Sequence, residues 1–138
     1  MFIKFGGLLR ASVAFKRFLL SVFLFSMLTS TCWAADVNDA AGLQTQVGTE
    51  GNVINITADI TLSNEISTLT ISKSVTINGN GNTLKGNGNN SVIHINNGAT
   101  NVIIKNLIIT GGMGTKYEGS DYRYGGGICI DKATNIKV

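Results

Sequence analysis

The sequence contains no proline, and beyond residue 34 it contains no phenylalanine or tryptophan either. All six Phe residues and the single Trp precede that point, whereas the rest of the chain has three Tyr and fifteen Asn. A core built after residue 34 must therefore consist of Ile, Val and Leu. With 138 residues, the chain is long enough for one domain at most.

The chain also lacks an excess of basic residues outside its N-terminal segment. Its formal net charge is +3, but four of the eleven basic residues lie within the first seventeen positions. From Ala35 onward there are seven Lys and Arg against eight Asp and Glu, a balance of −1. A basic face is therefore not expected, and no nucleic-acid partner is predicted.

The N-terminal segment has the pattern of a secretory signal peptide. Residues 1–17 are basic, residues 18–28 (FLLSVFLFSML) are uncharged and apolar, and small residues follow. This order predicts residues 1–34 to be a signal peptide, cleaved between Ala34 and Ala35. The alternatives are a membrane anchor, for which the apolar run falls short of the ~20 residues needed, and a lipid anchor on Cys32.

Cysteine and histidine are almost absent. Once the signal is removed, Cys129 is the only thiol, so an internal disulfide is excluded. A nucleophilic Cys129 would need a nearby base, and the single histidine, His94, lies 35 residues earlier. We therefore expect Cys129 to be a small residue on a strand face. His94, between two isoleucines, is expected to point outward at the surface.

Residues 36–47 (DVNDAAGLQTQV) are the only helix candidate after the signal. Leu43 and Val47 fall at helical spacing, and Asn38 or Asp39 can cap the start. From residue 52 to the end, β-branched residues alternate with polar ones, which predicts only strands and turns.

The short apolar segments recur at similar intervals once an inserted loop is taken into account. Residues 69–71 match 93–95 at an offset of 24, and residues 75–77 match 102–104 at an offset of 27. Residues 93–95 recur as 128–130 at an offset of 35, an interval that includes an extra loop at 113–124. Residues 99–102 recur as 133–136 at an offset of 34. A period in the twenties indicates a stacked repeat.

A parallel β-helix fits this pattern, because like residues stack in the interior while Asn and Gly form the tight corners. A leucine-rich repeat would require a Leu and Asn signature that is absent. We predict an all-β, right-handed parallel β-helix, with a cap and short helix at 35–51 and coils at 52–138. The sequence ends within a predicted strand, so the chain is expected to be the N-terminal part of a longer protein.

Two segments carry a family resemblance. VTINGNGNTLKG (residues 75–86) and NVIIKNLIITGG (residues 101–112) resemble the first coils of pectin-lyase-like right-handed parallel β-helix proteins. Gly125–Gly126–Gly127–Ile128 resembles the glycine-rich tetrapeptide of polymorphic outer-membrane protein repeats, which occur in autotransporter-type surface proteins. The resemblance implies a fold rather than an activity, since enzymes and adhesins share it.

Residues 111–127 (GGMGTKYEGSDYRYGGG) interrupt the repeat and hold all three tyrosines. Tyr117, Tyr122, Arg123 and Tyr124 are the candidate ligand contacts, with rings against sugar faces and the guanidinium on hydroxyls or uronates. Binding loops on rigid scaffolds are common. The alternative is an ordinary surface insertion between two coils.

No catalytic residue, metal ligand or cofactor is predicted. Glu118 and Asp121 share one flexible loop, which is a poor setting for the paired carboxylates of glycoside cleavage. GGMGTK places Lys116 where a calcium-binding repeat needs Asp. The two GNG segments lack the third glycine and the following helix of a dinucleotide site.

Two functions remain open. The first is an exported surface or secreted protein of the adhesin or autotransporter-passenger type, which binds a carbohydrate or host-surface ligand and associates with the outer membrane through a further C-terminal region. The second is a polysaccharide lyase or glycoside hydrolase whose catalytic coils lie beyond Val138.

Overall fold

The computed structural model describes residues 34–138. The predicted signal peptide lies outside the described residues, apart from Ala34, which precedes the first strand. No helix within residues 34–138 has the length and apolar character needed to cross a membrane.

The described chain is built from thirteen short strands and one short helix. In chain order they are β1 (Ala35–Val37), α1 (Ala40–Gln46), β2 (Asn52–Ile56), β3 (Ile60–Thr61), β4 (Leu69–Ile71), β5 (Val75–Asn78), β6 (Thr83–Lys85), β7 (Ile93–Ile95), β8 (Thr100–Lys105), β9 (Ile108–Thr110), β10 (Thr115–Lys116), β11 (Arg123–Tyr124), β12 (Ile128–Ile130) and β13 (Thr134–Lys137).

Eleven of the thirteen strands form three parallel sheets, and β10 and β11 form a separate pair. The orders of the three sheets are β1-β2-β5-β8-β13, β3-β6-β9 and β4-β7-β12. The chain therefore visits each sheet once per coil: β2, β3 and β4 form the first coil, β5, β6 and β7 the second, and β8, β9 and β12 the third. This is the topology of a β-helix-like stack, as the spacing predicts.

The pairing register confirms the predicted repeat. Leu69–Ile71 pairs with Ile93–Ile95, which in turn pairs with Ile128–Ile130. Val75 pairs with Val102 at the predicted offset of 27. Offsets of different length in the sequence thus each connect a strand to its neighbour in the next coil. The extra residues of the longer intervals lie in loops.

Like residues stack on like inside the coils. Ile54, Ile77 and Ile104 form one inward row across β2, β5 and β8, and none is more than 3% exposed. Each buried aliphatic side chain contributes roughly 1.5–3 kcal/mol relative to an exposed one. The core consists of Val37, Leu43, Val47, Ile54, Ile56, Ile60, Leu62, Leu69, Ile71, Val75, Ile77, Leu84, Val92, Ile93, Ile95, Ala99, Val102 and Ile104.

The helix lies within the candidate segment 36–47 and has Asp39 as its N-cap, as predicted. Asp36 and Val37 belong to β1, which pairs in parallel with β2, and the helix begins at Ala40. Asp39 caps it, with its Oδ1 accepting from the Gly42 N–H at 2.8 Å. Asp36 and Val37 precede this cap, and the edge of β2 offers them ladder partners.

Asparagine serves at the corners as predicted. Four asparagines have positive φ of 52° to 56°, a region that Asn tolerates better than most residues: Asn80, Asn101, Asn106 and Asn135. Side-chain amides also bond between coils: Asn106 Nδ2 donates to Asn78 Oδ1 at 3.4 Å, and Asn135 Nδ2 donates to Asn101 Oδ1. These amide pairs explain much of the high asparagine content.

Candidate ligand cleft at the hairpin insertion

Residues 111–127, called the hairpin insertion from here on, leave the coil stack between β9 and β12. Their strands β10 and β11 pair antiparallel, with Thr115 opposite Tyr124 and Lys116 opposite Arg123. Within residues 34–138 this is the only antiparallel pair. The segment predicted as a loop is thus a short ordered hairpin.

Backbone groups hold both ends of the insertion to the strand β7 region. The Met113 N–H donates to Asn90 O at 3.0 Å, and the Val92 N–H donates to Gly126 O at 3.1 Å. Gly112 is required here, because a Cβ on it would overlap the carbonyl oxygen of Gly126. The insertion therefore starts and ends from a fixed position on the second coil.

Ser91 is the fully buried polar side chain beneath the hairpin. Its Oγ lies 2.9 Å from Thr115 Oγ1 and donates to the carbonyl oxygen of Tyr124 at 3.1 Å. Because a hydroxyl has one proton, the Thr115 hydroxyl is the donor in the first bond. Ser91 was not among the predicted site residues, since a serine before a strand carries no sequence signal for such an anchor.

Arg123 braces the base of the hairpin. Its Nη1 donates to Asn89 O at 2.8 Å and to Gly114 O at 2.9 Å. The guanidinium thus joins the insertion to the corner of the second coil. That Arg123 also contacts a ligand stays a prediction.

Beside the hairpin lies an open cleft of about 330 Å³. Its lining residues are Tyr117, Ser120, Tyr124, Cys129, Ile130 and Asp131. The two tyrosine rings meet edge to face, with centroids 5.7 Å apart and planes at 62°. Tyr117 is 39% exposed and Tyr124 is 48% exposed, so both rings remain accessible beside the cleft.

Two of the three predicted tyrosines thus come together, whereas Tyr122 stands apart. It is 75% exposed and does not line this cleft. A second open cleft, of about 460 Å³, lies at the hairpin tip, along residues 116–121. There Lys116 Nζ and Asp121 Oδ1 form an ion pair of 3.3 Å, which contributes little because both side chains are exposed.

The floor of the cleft contains a hydrogen bond between a phenol and a thiol. Tyr117 Oη lies 3.4 Å from Cys129 Sγ, and Cys129 is only 6% exposed. The bond to Cys129, with smaller contributions from burial and from the charges of Cys129 and Asp131, raises the pKa of Tyr117 to about 12. Tyr117 is therefore a neutral phenol at physiological pH.

The expectation that His94 lies far from Cys129 is wrong. Cys129 pairs directly with His94 on adjacent strands, so both side chains lie on the same outer face. The repeat that aligns residues 93–95 with 128–130 already contains this adjacency, because 35 residues is one coil. His94 is also less exposed than expected: it is half-buried, and its Nε2 has no hydrogen-bond partner within residues 34–138.

No group of three His, Cys, Asp or Glu side chains in the described part of the chain is arranged to hold a metal ion. The cleft therefore offers aromatic surface, one carboxylate, hydroxyls and a covered thiol. Such a set can bind a polar ligand with an apolar face.

Comparison with known proteins gives one match. The family described as "Putative pectate lyase-like adhesive domain" matches residues 34–135. No curated protein and no solved structure matches the chain.

Proposed function

The chain belongs to this pectate lyase-like adhesive family, and from that premise we propose that it is an exported adhesin. It binds a carbohydrate on a host or other surface, and the binding site is the cleft beside the hairpin insertion. The family match supports the adhesive role. The observation that carries the choice of site is the pairing of Tyr117 and Tyr124 at an accessible cleft.

The chemistry of the cleft suits a sugar. Tyrosine presents a large apolar ring with a polar end, which matches the C–H faces and hydroxyls of a pyranose. Asp131 adds an acceptor for ligand hydroxyls, and the Ser120 hydroxyl retains its proton for donation, since its oxygen accepts from the Tyr122 N–H at 3.1 Å. Ligand sites typically combine such aromatic surface with a few polar groups.

The number and positions of the carboxylates favour a binding function over a catalytic one. Glycoside hydrolysis generally requires two carboxyl groups on opposite sides of the scissile bond. The residues lining the cleft include only one, Asp131, and the carboxylate of Asp121 is paired with Lys116 at the hairpin tip.

The proposed location rests on the N-terminal segment and on the family match. The predicted signal peptide at residues 1–34 supports export, with secretion or display at the cell surface as the destination. The autotransporter-passenger type, with an outer-membrane association, is the finer proposal, and it rests on the glycine-rich segment before Ile128. Right-handed winding of the coils is proposed from the general preference of parallel crossovers.

A glycan array tests this function. The mature secreted protein is compared with a Tyr117→Ala/Tyr124→Ala double variant, with Tyr122→Ala, and with Thr61→Ala as a control on the exposed outer face of β3. We expect the double variant to lose glycan binding at least tenfold, Tyr122→Ala to weaken it less, and Thr61→Ala to leave it unchanged. Chemical denaturation of each variant verifies that the coil stack is intact.

The results separate the two functions. Unchanged binding in the double variant would remove the cleft from the proposal. Release of new reducing ends or unsaturated products from a polysaccharide would favour the alternative, a lyase or hydrolase.

A further inference from the structure

The residues that line the cleft carry charge of one sign only, which is negative. Asp131 is the only charged residue among its lining residues. Two basic side chains of the hairpin are engaged elsewhere: Lys116 with Asp121, and Arg123 with the carbonyl oxygens of Asn89 and Gly114. The cleft therefore presents a negative charge and has no basic residue in its lining; the exposed Lys132, which follows Asp131 in the chain, lies outside that lining.

Asp131 itself is free to meet a ligand. Within residues 34–138 its carboxylate forms neither a salt bridge nor a hydrogen bond, and its backbone is fixed by donation from the Asp131 N–H to Ile95 O at 2.9 Å. The residue is half-buried, so its charge is less well solvated than that of the fully exposed Asp121. Partial desolvation strengthens its attraction to a cation.

The aromatic groups add a second attraction for positive charge. Tyr117 and Tyr124 line the same cleft at an interplanar angle of 62°, so they offer two differently oriented π-systems next to one carboxylate. An organic ammonium group is attracted both to ring faces and to a carboxylate, and its carbon atoms also fill apolar space. Ile130 also lines the cleft, but its register with Ile95 assigns it to the inward row of the stack, so the tyrosine rings supply the apolar surface for the ligand.

Resting on the adhesive function above, we propose that this cleft recognises an organic ammonium group carried by a glycan, with Asp131 as the residue that determines specificity. The ammonium group belongs either to an unacetylated amino sugar or to a quaternary amine substituent. The same charge disfavours uronates, because a ligand carboxylate would lie near Asp131 with no basic residue in the lining to neutralise it. Arg123, whose guanidinium is predicted to contact uronates, does not line this cleft, and its Nη1 donates to two backbone carbonyl oxygens.

Four probes separate these ligand chemistries in a calorimetric titration of the mature protein. They are a glucosamine tetramer, its fully N-acetylated counterpart, a galacturonate tetramer of similar length, and choline. The first two differ by acetylation of the amine, which removes the charge and adds an acetyl group. A charge-assisted contact is expected to favour the glucosamine tetramer over the acetylated one by about tenfold.

The matched variants are Asp131→Asn and Asp121→Asn. Asp131→Asn keeps the shape of the side chain but removes its charge, so the preference for the glucosamine tetramer should disappear. Asp121→Asn removes the same charge from the exposed hairpin tip, and the preference should remain. Competition by choline identifies the ammonium group alone as sufficient, whereas glucosamine binding without choline competition assigns recognition to the amino sugar.

A preference for galacturonate, or a glucosamine preference that survives Asp131→Asn, would overturn the proposal. The adhesive function would still stand if Tyr117→Ala/Tyr124→Ala abolished binding of the acetylated or acidic tetramer. If none of the probes binds and the glycan array is also empty, both proposals fail.

Discussion

The coil stack (strands β2–β9, β12 and β13) and the hairpin insertion differ in residue type and in burial. In the stack, inward rows of Ile, Val and Leu are buried against the same residue types of neighbouring coils. In the insertion, all three tyrosines and all four charged residues are exposed. Stability is therefore concentrated in one region and chemically varied contact surface in the other.

This division means that the two regions tolerate change differently. A coil residue touches its counterparts above and below, so a substitution there disturbs two neighbouring coils. A residue in the insertion has few such partners, and the insertion is joined to the stack mainly through Ser91, Arg123 and the glycines at its base. Surface loops of this kind can vary their ligand without weakening the fold.

The strongest test of this comparison is Ile77→Ala in the middle of the stack. Ile77 is fully buried between Ile54 and Ile104. Its truncation should lower the free energy of unfolding by about 2–5 kcal/mol, because it leaves a cavity that rigid coils cannot close. Urea denaturation measures the loss.

Two controls accompany that measurement. Thr76→Ala changes the adjacent, outward-facing residue of the same strand, and Tyr122→Ala changes the most exposed ring of the insertion. Both should stay within about 0.5 kcal/mol of the parent protein. A large effect of Tyr122→Ala would show that the insertion supports the stack.

The same difference explains what the sequence predicts well. Inward residues recur because each coil repeats the environment of the one before it, so alignment of residues 69–71, 93–95 and 128–130 predicts the sheet register itself. The repeat also implied that His94 and Cys129 occupy paired positions on adjacent strands, although their separation in the sequence suggested otherwise. Local spacing and the cap at Asp39 predicted the helix, but they gave no sign of strand β1, because its pairing with β2 is a contact between distant residues.

The insertion has no repeat to align. Composition singled out the tyrosines as candidate ligand contacts, which stays a prediction, and it could not predict that Tyr117 and Tyr124 meet while Tyr122 stands apart. Nor could it predict that Arg123 bonds to backbone carbonyls. These outcomes depend on hairpin register and on the buried hydroxyl of Ser91, for which nearby sequence holds no periodic signal.

A smaller effect is expected where the two regions join, from Gly112→Ala. The new Cβ would overlap Gly126 O and approach Val92 Cγ2 to 2.9 Å. Displacing the base of the insertion should cost about 1–3 kcal/mol and weaken glycan binding. Gly127→Ala is the matched control, because its Cβ meets only Ile109 Cγ2 at an ordinary 3.5 Å. Equal stability of the two variants would contradict the tight junction.

Arg123→Ala should loosen the insertion without unfolding the stack. It removes the bonds to Asn89 O and Gly114 O, which together contribute about 0.5–1.5 kcal/mol at this exposed position. Hydrogen exchange of the amides in β10 and β11 should accelerate, while that of β7 stays unchanged. Lys116→Ala, which breaks only the exposed ion pair with Asp121, is the control and should alter neither. Faster exchange in β7 would show that Arg123 also stabilises the coil.

The smallest expected effect is on stability at high pH, where Tyr117 of the insertion, bonded to Cys129 of β12, ionises. The pKa of Tyr117 is raised from 10.0 to about 12, chiefly by its bond to Cys129, so the folded state holds the phenol proton more tightly than the unfolded chain does. The stabilisation is complete below pH 10 and is lost as the pH rises through about 12. Ultraviolet titration of tyrosinate, taken as the difference between the parent protein and Tyr117→Phe, should show this late ionisation. Cys129→Ala should move it back toward the ordinary value, and an unmoved midpoint would mean that the thiol is not its cause.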